Sequence, residues 1–182
     1  MNLDEFDYQL PPERIAQYPV RNRSQSRLMV LRVPPAPIEH LRFYQVNRLL
    51  GPGDVLVLND TRVIPARLWG SRKSGGRVEI FIDRIKEPEW QEGEYFVRPA
   101  QGLVGRAKVK DGEEVNLPNG GRVRLLSSGK KVRDFLLITP CPAMEYIFRC
   151  GQVPLPPYIR RAPATSDQQR YQTVFAKQAG AV

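Results

Sequence analysis

The chain has 182 residues, 41% of them hydrophobic, and a net charge of +9 with a pI near 9.9. That length and composition can bury the core of one domain or two small ones and argue against global disorder. The longest apolar runs, such as Val55-Leu56-Val57-Leu58, fall far short of the roughly 20 residues that cross a bilayer, and the acidic start Asn2-Leu3-Asp4-Glu5 lacks the apolar stretch of a secretory signal. A cytoplasmic protein with no membrane role is the expectation. The 28 basic residues comprise 21 Arg and 7 Lys. A guanidinium fork suits phosphate and stacks on bases, so this bias points to an RNA partner; a G+C-rich genome, or a basic surface without a polyanion, produces the same bias.

In chain order, Pro11 and Pro12 preset one short helical stretch that Pro19 ends. Ser26 to Val33 reads as a strand with Leu28-Met29-Val30-Leu31 as its buried centre, broken by Pro34-Pro35-Ala36-Pro37. Phe43, Val46, Leu49 and Leu50 fall at helical spacing before Gly51-Pro52-Gly53. Asp54 to Asn59 reads as an apolar strand covered on both faces. Short alternating segments follow at 63–69, 77–85, 94–98, 107–110, 114–117, 122–126 and 133–139. Turns separate them at Ser74-Gly75-Gly76, Gln91-Glu92-Gly93, Asp111-Gly112, Asn119-Gly120-Gly121 and Ser128-Gly129. Strands of this length and spacing predict a small antiparallel barrel, because closure removes the sheet edges. A helix carrying Met144, Ile147 and Phe148 returns after Pro142 and ends at Gly151. The fold class is therefore α/β with an inserted antiparallel β-barrel: 1–61 as the first part of the α/β domain, 62–139 as the barrel, 140–182 as the return into an incomplete α/β domain.

Familiar catalytic signatures are missing. There is no Gly-x-Gly-x-x-Gly, no phosphate loop and no Gly-x-Ser-x-Gly elbow. With Cys141, Cys150 and the single histidine His40, the chain cannot assemble a four-ligand zinc site, so no metal is expected. Cys150 reads as a core thiol and His40 as a surface residue at a strand end. What remains is Asn59-Asp60-Thr61-Arg62 directly after the apolar Val55 to Leu58 run, with Arg67 close behind. An amide, a carboxylate, a hydroxyl and a guanidinium at the C-terminal end of a buried strand occupy the place where α/β sheets bind ligands. The competing reading is an Asx-type turn with Asp60 paired to Arg62 or Arg67. A second polar stretch, Pro154-Leu155-Pro156-Pro157-Tyr158-Ile159-Arg160-Arg161, is stiff and extended. It could lay Tyr158 on a base and Arg160 and Arg161 on phosphates, or serve only as a strap. A third, Arg170-Tyr171-Gln172-Thr173-Val174-Phe175-Ala176, has no functional reading alone.

Taken together these stretches resemble the S-adenosylmethionine:tRNA ribosyltransferase-isomerase family. The likeness runs in order through Phe6-Asp7-Tyr8 with Leu10-Pro11, Ile15 to Pro19, Ser26-Arg27-Leu28, Gly53-Asp54 and Asn59 to Leu68, Gly75 to Glu79, Val97-Arg98-Pro99, Pro154 to Ile159, and Arg170 to Ala176. The resemblance implies an α/β domain with an inserted barrel. It also implies a reaction: the ribosyl unit of S-adenosylmethionine is moved onto 7-aminomethyl-7-deazaguanine at the tRNA wobble position and isomerised to epoxyqueuosine, with adenine and methionine released. S-adenosylmethionine is then a co-substrate, with no recycled cofactor. The partner is tRNA carrying that base. On this basis Asp60, Thr61 and Arg62 are the candidate catalytic residues, and Asn59, Arg67, Tyr158, Arg160, Arg161, Arg170, Tyr171 and Gln172 the candidate substrate- and RNA-binding ones.

In the family the Tyr-Gln-Thr-Val-Phe-Ala string continues into a His-containing segment and a comparable further length of chain, whereas this sequence stops at Val182. The expectation is a fragment, a truncated reading frame or half of a split enzyme, inactive alone: a monomer, or a part that needs a C-terminal half. The alternative of another class is a non-catalytic basic RNA-binding fragment.

Overall fold

A computed structural model describes residues 2–33, 35–126 and 131–181 of the chain. Pro34 of the expected break, the expected turn at Ser128-Gly129 and the terminal Val182 lie outside the described residues. The chain divides into two compact units, Met1–Leu58 with Pro156–Arg161, and Asn59–Leu155 with Ala162–Val182.

The first unit is built from short elements. Strands β1 (Arg27–Val30) and β2 (Glu39–Arg42) form an antiparallel hairpin, with Leu28 opposite Leu41 and Met29 opposite His40. Four 3-10 turns, Leu3–Phe6, Pro12–Arg14, Arg23–Gln25 and Phe43–Leu49, connect the rest. None of its described residues is buried. The strand expected over 26–33 is shorter because its partner offers only four pairing positions, and Met29 and Leu31 are exposed. A larger correction concerns 54–59. No strand forms there, and Val55 and Val57 are 89% and 88% exposed. A covered strand needs hydrogen-bonding neighbours on both edges and helices on both faces, and the described residues supply neither.

The second unit contains the barrel. After β3 (Thr61–Val63), Pro65, which has no N–H to donate, interrupts what the sequence suggests is one strand over 63–69. Ala66 N–H bonds back to the Ile64 carbonyl at 2.8 Å, and the chain restarts as β4 (Arg67–Arg72). Then come β5 (Arg77–Ile85), β6 (Trp90–Glu92), β7 (Tyr95–Gly105), β8 (Glu114–Asn116), β9 (Arg122–Leu125) and β10 (Arg133–Thr139). Six of these pair in a closed antiparallel ring, β4-β5-β7-β10-β9-β8, which β4 and β8 join through Ser71 opposite Asn116 and Arg72 opposite Val115. β6 lies outside the ring, on β7. The strand expected at 107–110 is loop, because Arg106 takes a left-handed backbone, φ 72°, that ends β7.

Alternation decides what the ring encloses. In β5 Val78, Ile80 and Ile82 point inward, and with Leu68, Val115, Val123, Leu125, Phe135 and Leu137 they are fully buried. Burying one such side chain is worth about 1.5–3 kcal/mol. Helix α1 (Ala143–Cys150), closed by Gly151, adds Ala143, Tyr146 and Ile147 to the same core. The Tyr146 hydroxyl donates to the Pro118 carbonyl. After α2 (Thr165–Arg170) the chain forms β11 (Gln178–Ala181), which pairs parallel with β3. The barrel is thus inserted in the crossover between two parallel neighbours.

Candidate functional site

The expected cluster sits at the start of that parallel pair. Gln178 lies opposite Thr61 and Ala179 opposite Arg62, and the Asp60 carbonyl accepts from Lys177 N–H at 2.6 Å and Gln178 N–H at 3.2 Å. The Asp60 backbone is therefore held while its side chain is exposed. The Asn59 side-chain oxygen accepts from Thr61 N–H at 2.8 Å, an Asx-type turn that sets the bend into β3. Neither proposed partner of Asp60 is paired with it. The Arg62 guanidinium lies over the Phe148 ring, 5.5 Å from its centroid, and Arg67 pairs with Glu79 at 2.9 Å.

The third motif reaches the same place. The Gln172 amide accepts from Val63 N–H at 2.8 Å and donates to the Val63 carbonyl at 2.9 Å, acting as a one-residue strand along β3. Arg170 closes α2, and Tyr171, just beyond it, is exposed. So Asn59, Asp60, Thr61, Arg62 and Gln172 come together around β3, with Arg67 at the start of the next strand. Beside them an open cleft of about 410 Å³ is lined by Ile64, Ile82, Asp83, Arg84, Met144 and Ala179, among others. Asp83 and Arg84 were not singled out in the sequence. The signal was present: the alternation of Val78, Ile80 and Ile82 breaks at Arg84, where an inward apolar residue is due, and the β5–β7 register shifts between Ile82 and Arg84.

Tyr158, Arg160 and Arg161 belong to the other unit. There Gln17 is the hub. Its amide donates to the Tyr158 carbonyl at 3.1 Å and accepts from Arg160 N–H at 2.6 Å, while Arg161 donates to the Gln17 carbonyl at 2.8 Å and covers the Tyr18 ring at 4.4 Å. The Ile15 to Pro19 motif and the proline-rich strap are thus one local device, which leaves the Tyr158 ring and the Arg160 side chain exposed.

Both cysteines are free thiols of intermediate exposure. Burial, reinforced by the nearby Glu145 carboxylate, pushes the Cys141 thiol up, and Cys150 Sγ accepts from Asn119 at 3.3 Å. His40 is exposed in β2. Among the described residues no three His, Cys, Asp or Glu side chains converge as metal ligands, and no helix is long and apolar enough to cross a membrane.

Comparison with known proteins identifies the family. A family model described as queuosine biosynthesis protein matches residues 3–182. An S-adenosylmethionine:tRNA ribosyltransferase-isomerase of Xanthomonas euvesicatoria is 43% identical over 183 residues, which is all of this chain and 49% of that protein. One from Geobacter metallireducens is 39% identical, again over all of this chain and 52% of its own length. A crystal structure of S-adenosylmethionine tRNA ribosyltransferase from Thermotoga maritima is 38% identical, with a TM-score of 0.33, covering 81% of this chain and 48% of that one. The chain spans about half the length of the curated relatives it matches.

Proposed function

The chain belongs to the queuosine biosynthesis protein family, and on that premise we propose that it forms the N-terminal half of an S-adenosylmethionine:tRNA ribosyltransferase-isomerase. The relatives' names supply the two substrates, S-adenosylmethionine and tRNA. In the finer reading, the ribosyl unit passes to the aminomethyl group of 7-aminomethyl-7-deazaguanine at the wobble position and rearranges to epoxyqueuosine, with adenine and methionine leaving.

The observation that carries this reading is the β3 tip: a carboxylate, a hydroxyl and a guanidinium on consecutive residues, with the backbone pinned by Lys177, Gln178 and Asn59 and the Asp60 side chain exposed. A sulfonium acidifies the adjacent carbon, so a carboxylate within reach can take that proton, and attack by the aminomethyl nitrogen with loss of adenine and methionine follows. Asp60 is the base or holds the ribose hydroxyls. Thr61 and Arg62 orient the nucleoside, while Asn59 and Gln172 keep the strand in place. Arg67, Arg170 and Tyr171 contribute to the RNA side of this unit. Tyr158, Arg160 and Arg161 offer an aromatic ring and two cations to RNA from the other.

The test uses labelled S-adenosylmethionine and substrate tRNA, with free adenine as the readout. Little adenine is expected from the chain alone. Adding a polypeptide that spans the remaining half of the Xanthomonas relative should restore release, and Asp60→Asn should then abolish it while tRNA binding persists. Full adenine release by that variant removes Asp60 from the chemistry. RNA binding with no release under either condition supports the non-catalytic RNA-binding reading.

A further inference from the structure

The outer wall of the barrel carries a cluster that the β3 tip does not use. Arg67 and Trp69 of β4, Arg77, Glu79 and Phe81 of β5, and Leu103 of β7 occupy one face in register: Arg67 lies opposite Phe81, Trp69 opposite Glu79, and Phe81 opposite Leu103. Gly105 lies opposite Glu79, and its missing side chain leaves that spot open, the nearest atom to a Cβ there being Glu79 Oε2 at 3.9 Å. Trp69 is gripped at its edge, its indole N–H donating to the Gln152 side chain at 3.1 Å. The Arg77 guanidinium stacks 3.9 Å from the indole centroid and Arg106 stands at 5.7 Å.

Three arginines therefore surround one carboxylate and one aromatic plate. Glu79 holds Arg67 at 2.9 Å and Arg106 at 3.8 Å, and Arg106 remains 68% exposed. Arg106 also has φ 72°, a region that disfavours a residue with a Cβ. That backbone ends β7 and turns the guanidinium back over Trp69. Strain of this kind collects where a side chain must be aimed.

We propose that this wall, Trp69 with Arg67, Arg77 and Arg106, is a docking platform for single-stranded or loop RNA, in which a base stacks on the layered Trp69–Arg77 pair and the neighbouring guanidiniums bind the flanking phosphates. Exposed sheet faces of small barrels suit this task, because strands hold aromatic and basic side chains at fixed spacing and every base has a π-face. The chain's net charge of +9 supplies the long-range attraction. The proposal rests on the tRNA reading above and adds a location to it.

The experiment uses the full chain with a Trp90→Phe change, so that Trp69 is the only indole, and titrates it with polyuridylate, an unmodified tRNA transcript and inorganic polyphosphate at several salt concentrations. Both RNAs should quench Trp69 emission, and polyphosphate should not. Arg106→Gly should leave the thermal midpoint unchanged or raise it, since glycine accepts that backbone freely, yet weaken RNA binding several-fold and lower the salt slope by about 1. Arg77→Gln should do the same, and the charge control Arg149→Ala, in α1, should lose less than either. Wild-type RNA binding by Arg106→Gly and Arg77→Gln overturns the platform and leaves the tRNA reading standing. Equal quenching by polyphosphate reduces the wall to an anion patch and overturns base stacking. No RNA binding by the parent chain overturns the platform, while the tRNA reading is decided by the adenine-release test with the second half present.

Discussion

The barrel and the N-terminal unit share one chain but solve burial in opposite ways. In the barrel six strands close on themselves, each pairing with two neighbours, and Leu68, Val78, Ile80, Ile82, Leu125, Phe135 and Leu137 reach zero exposure. In the unit of residues 1–58 and 156–161 a four-residue hairpin and single turns leave no described residue buried, and Val55-Leu56-Val57-Leu58 stands open although its composition is that of a core strand. An apolar segment becomes a strand only when neighbours supply hydrogen bonds and cover. Closure lets the barrel do this with its own residues.

The sharpest way to break the contrast is to remove volume from each region. Phe135→Ala should cost about 3–5 kcal/mol, since it deletes a fully buried ring from the barrel core. Leu56→Ser, at 62% exposure, should cost less than about 0.5 kcal/mol in this chain. Denaturant unfolding followed by circular dichroism compares them directly, and equal losses would show that 54–58 is covered after all. Adding a polypeptide that spans the remaining half of a relative should make Leu56→Ser costly, which sharpens the same contrast.

Gly102→Ala comes next. A Cβ there would meet the Phe81 carbonyl oxygen at 1.9 Å, where β7 passes close to β5, so the variant should lose about 1–3 kcal/mol through forced backbone movement. Gly75→Ala in the β4–β5 turn meets nothing within 4 Å and should lose only about 1 kcal/mol, the cost of its φ of +83°. Differential scanning calorimetry separates the two; a Gly75→Ala variant as damaged as Gly102→Ala would show that turn strain, not close approach, limits the barrel.

Two titrations give the smallest effects. Burial pushes the Tyr146 hydroxyl above its ordinary pKa. Its contribution is then fully present below pH about 10, the unfolded value, and falls as pH rises beyond it. Tyr146→Phe should cost about 1 kcal/mol at neutral pH by orphaning the Pro118 carbonyl and should flatten the alkaline decline. A decline equally steep in the variant assigns it to other groups. On the outer wall, the hydrogen bond from Arg124 holds the Glu114 carboxyl below its ordinary pKa. That contribution is present above the unfolded value and fades as pH falls through the lower folded one, so Glu114→Gln should lose slightly less stability than the parent on acidification. Paired acid-unfolding curves measure the difference.

Much of this was legible in the amino-acid sequence. The spans 77–85 and 133–139 coincide with β5 and β10, and the helix after Pro142 with its Gly151 stop is α1. These follow from period-two alternation, turn chemistry and capping, which are local. The Asn59-Asp60-Thr61-Arg62 string could be singled out because polar residues of four kinds directly follow an apolar run. Other features depended on partners far along the chain. Whether 54–59 is a strand, and that Gln172 rather than Arg62 or Arg67 braces the tip, were decided by hydrogen-bond partners more than a hundred residues away or not supplied within the described residues. The Trp69 platform belongs here as well: residues 67, 69, 77, 79 and 106 become neighbours only when three strands adopt one register. Sequence by itself determined which segments can pair and which face of each is apolar, because those are properties of a residue and its near neighbours. Only the tertiary structure decided which segments found partners and which polar side chains met, because pairing is a contest among distant segments for the same hydrogen bonds and the same covered surface.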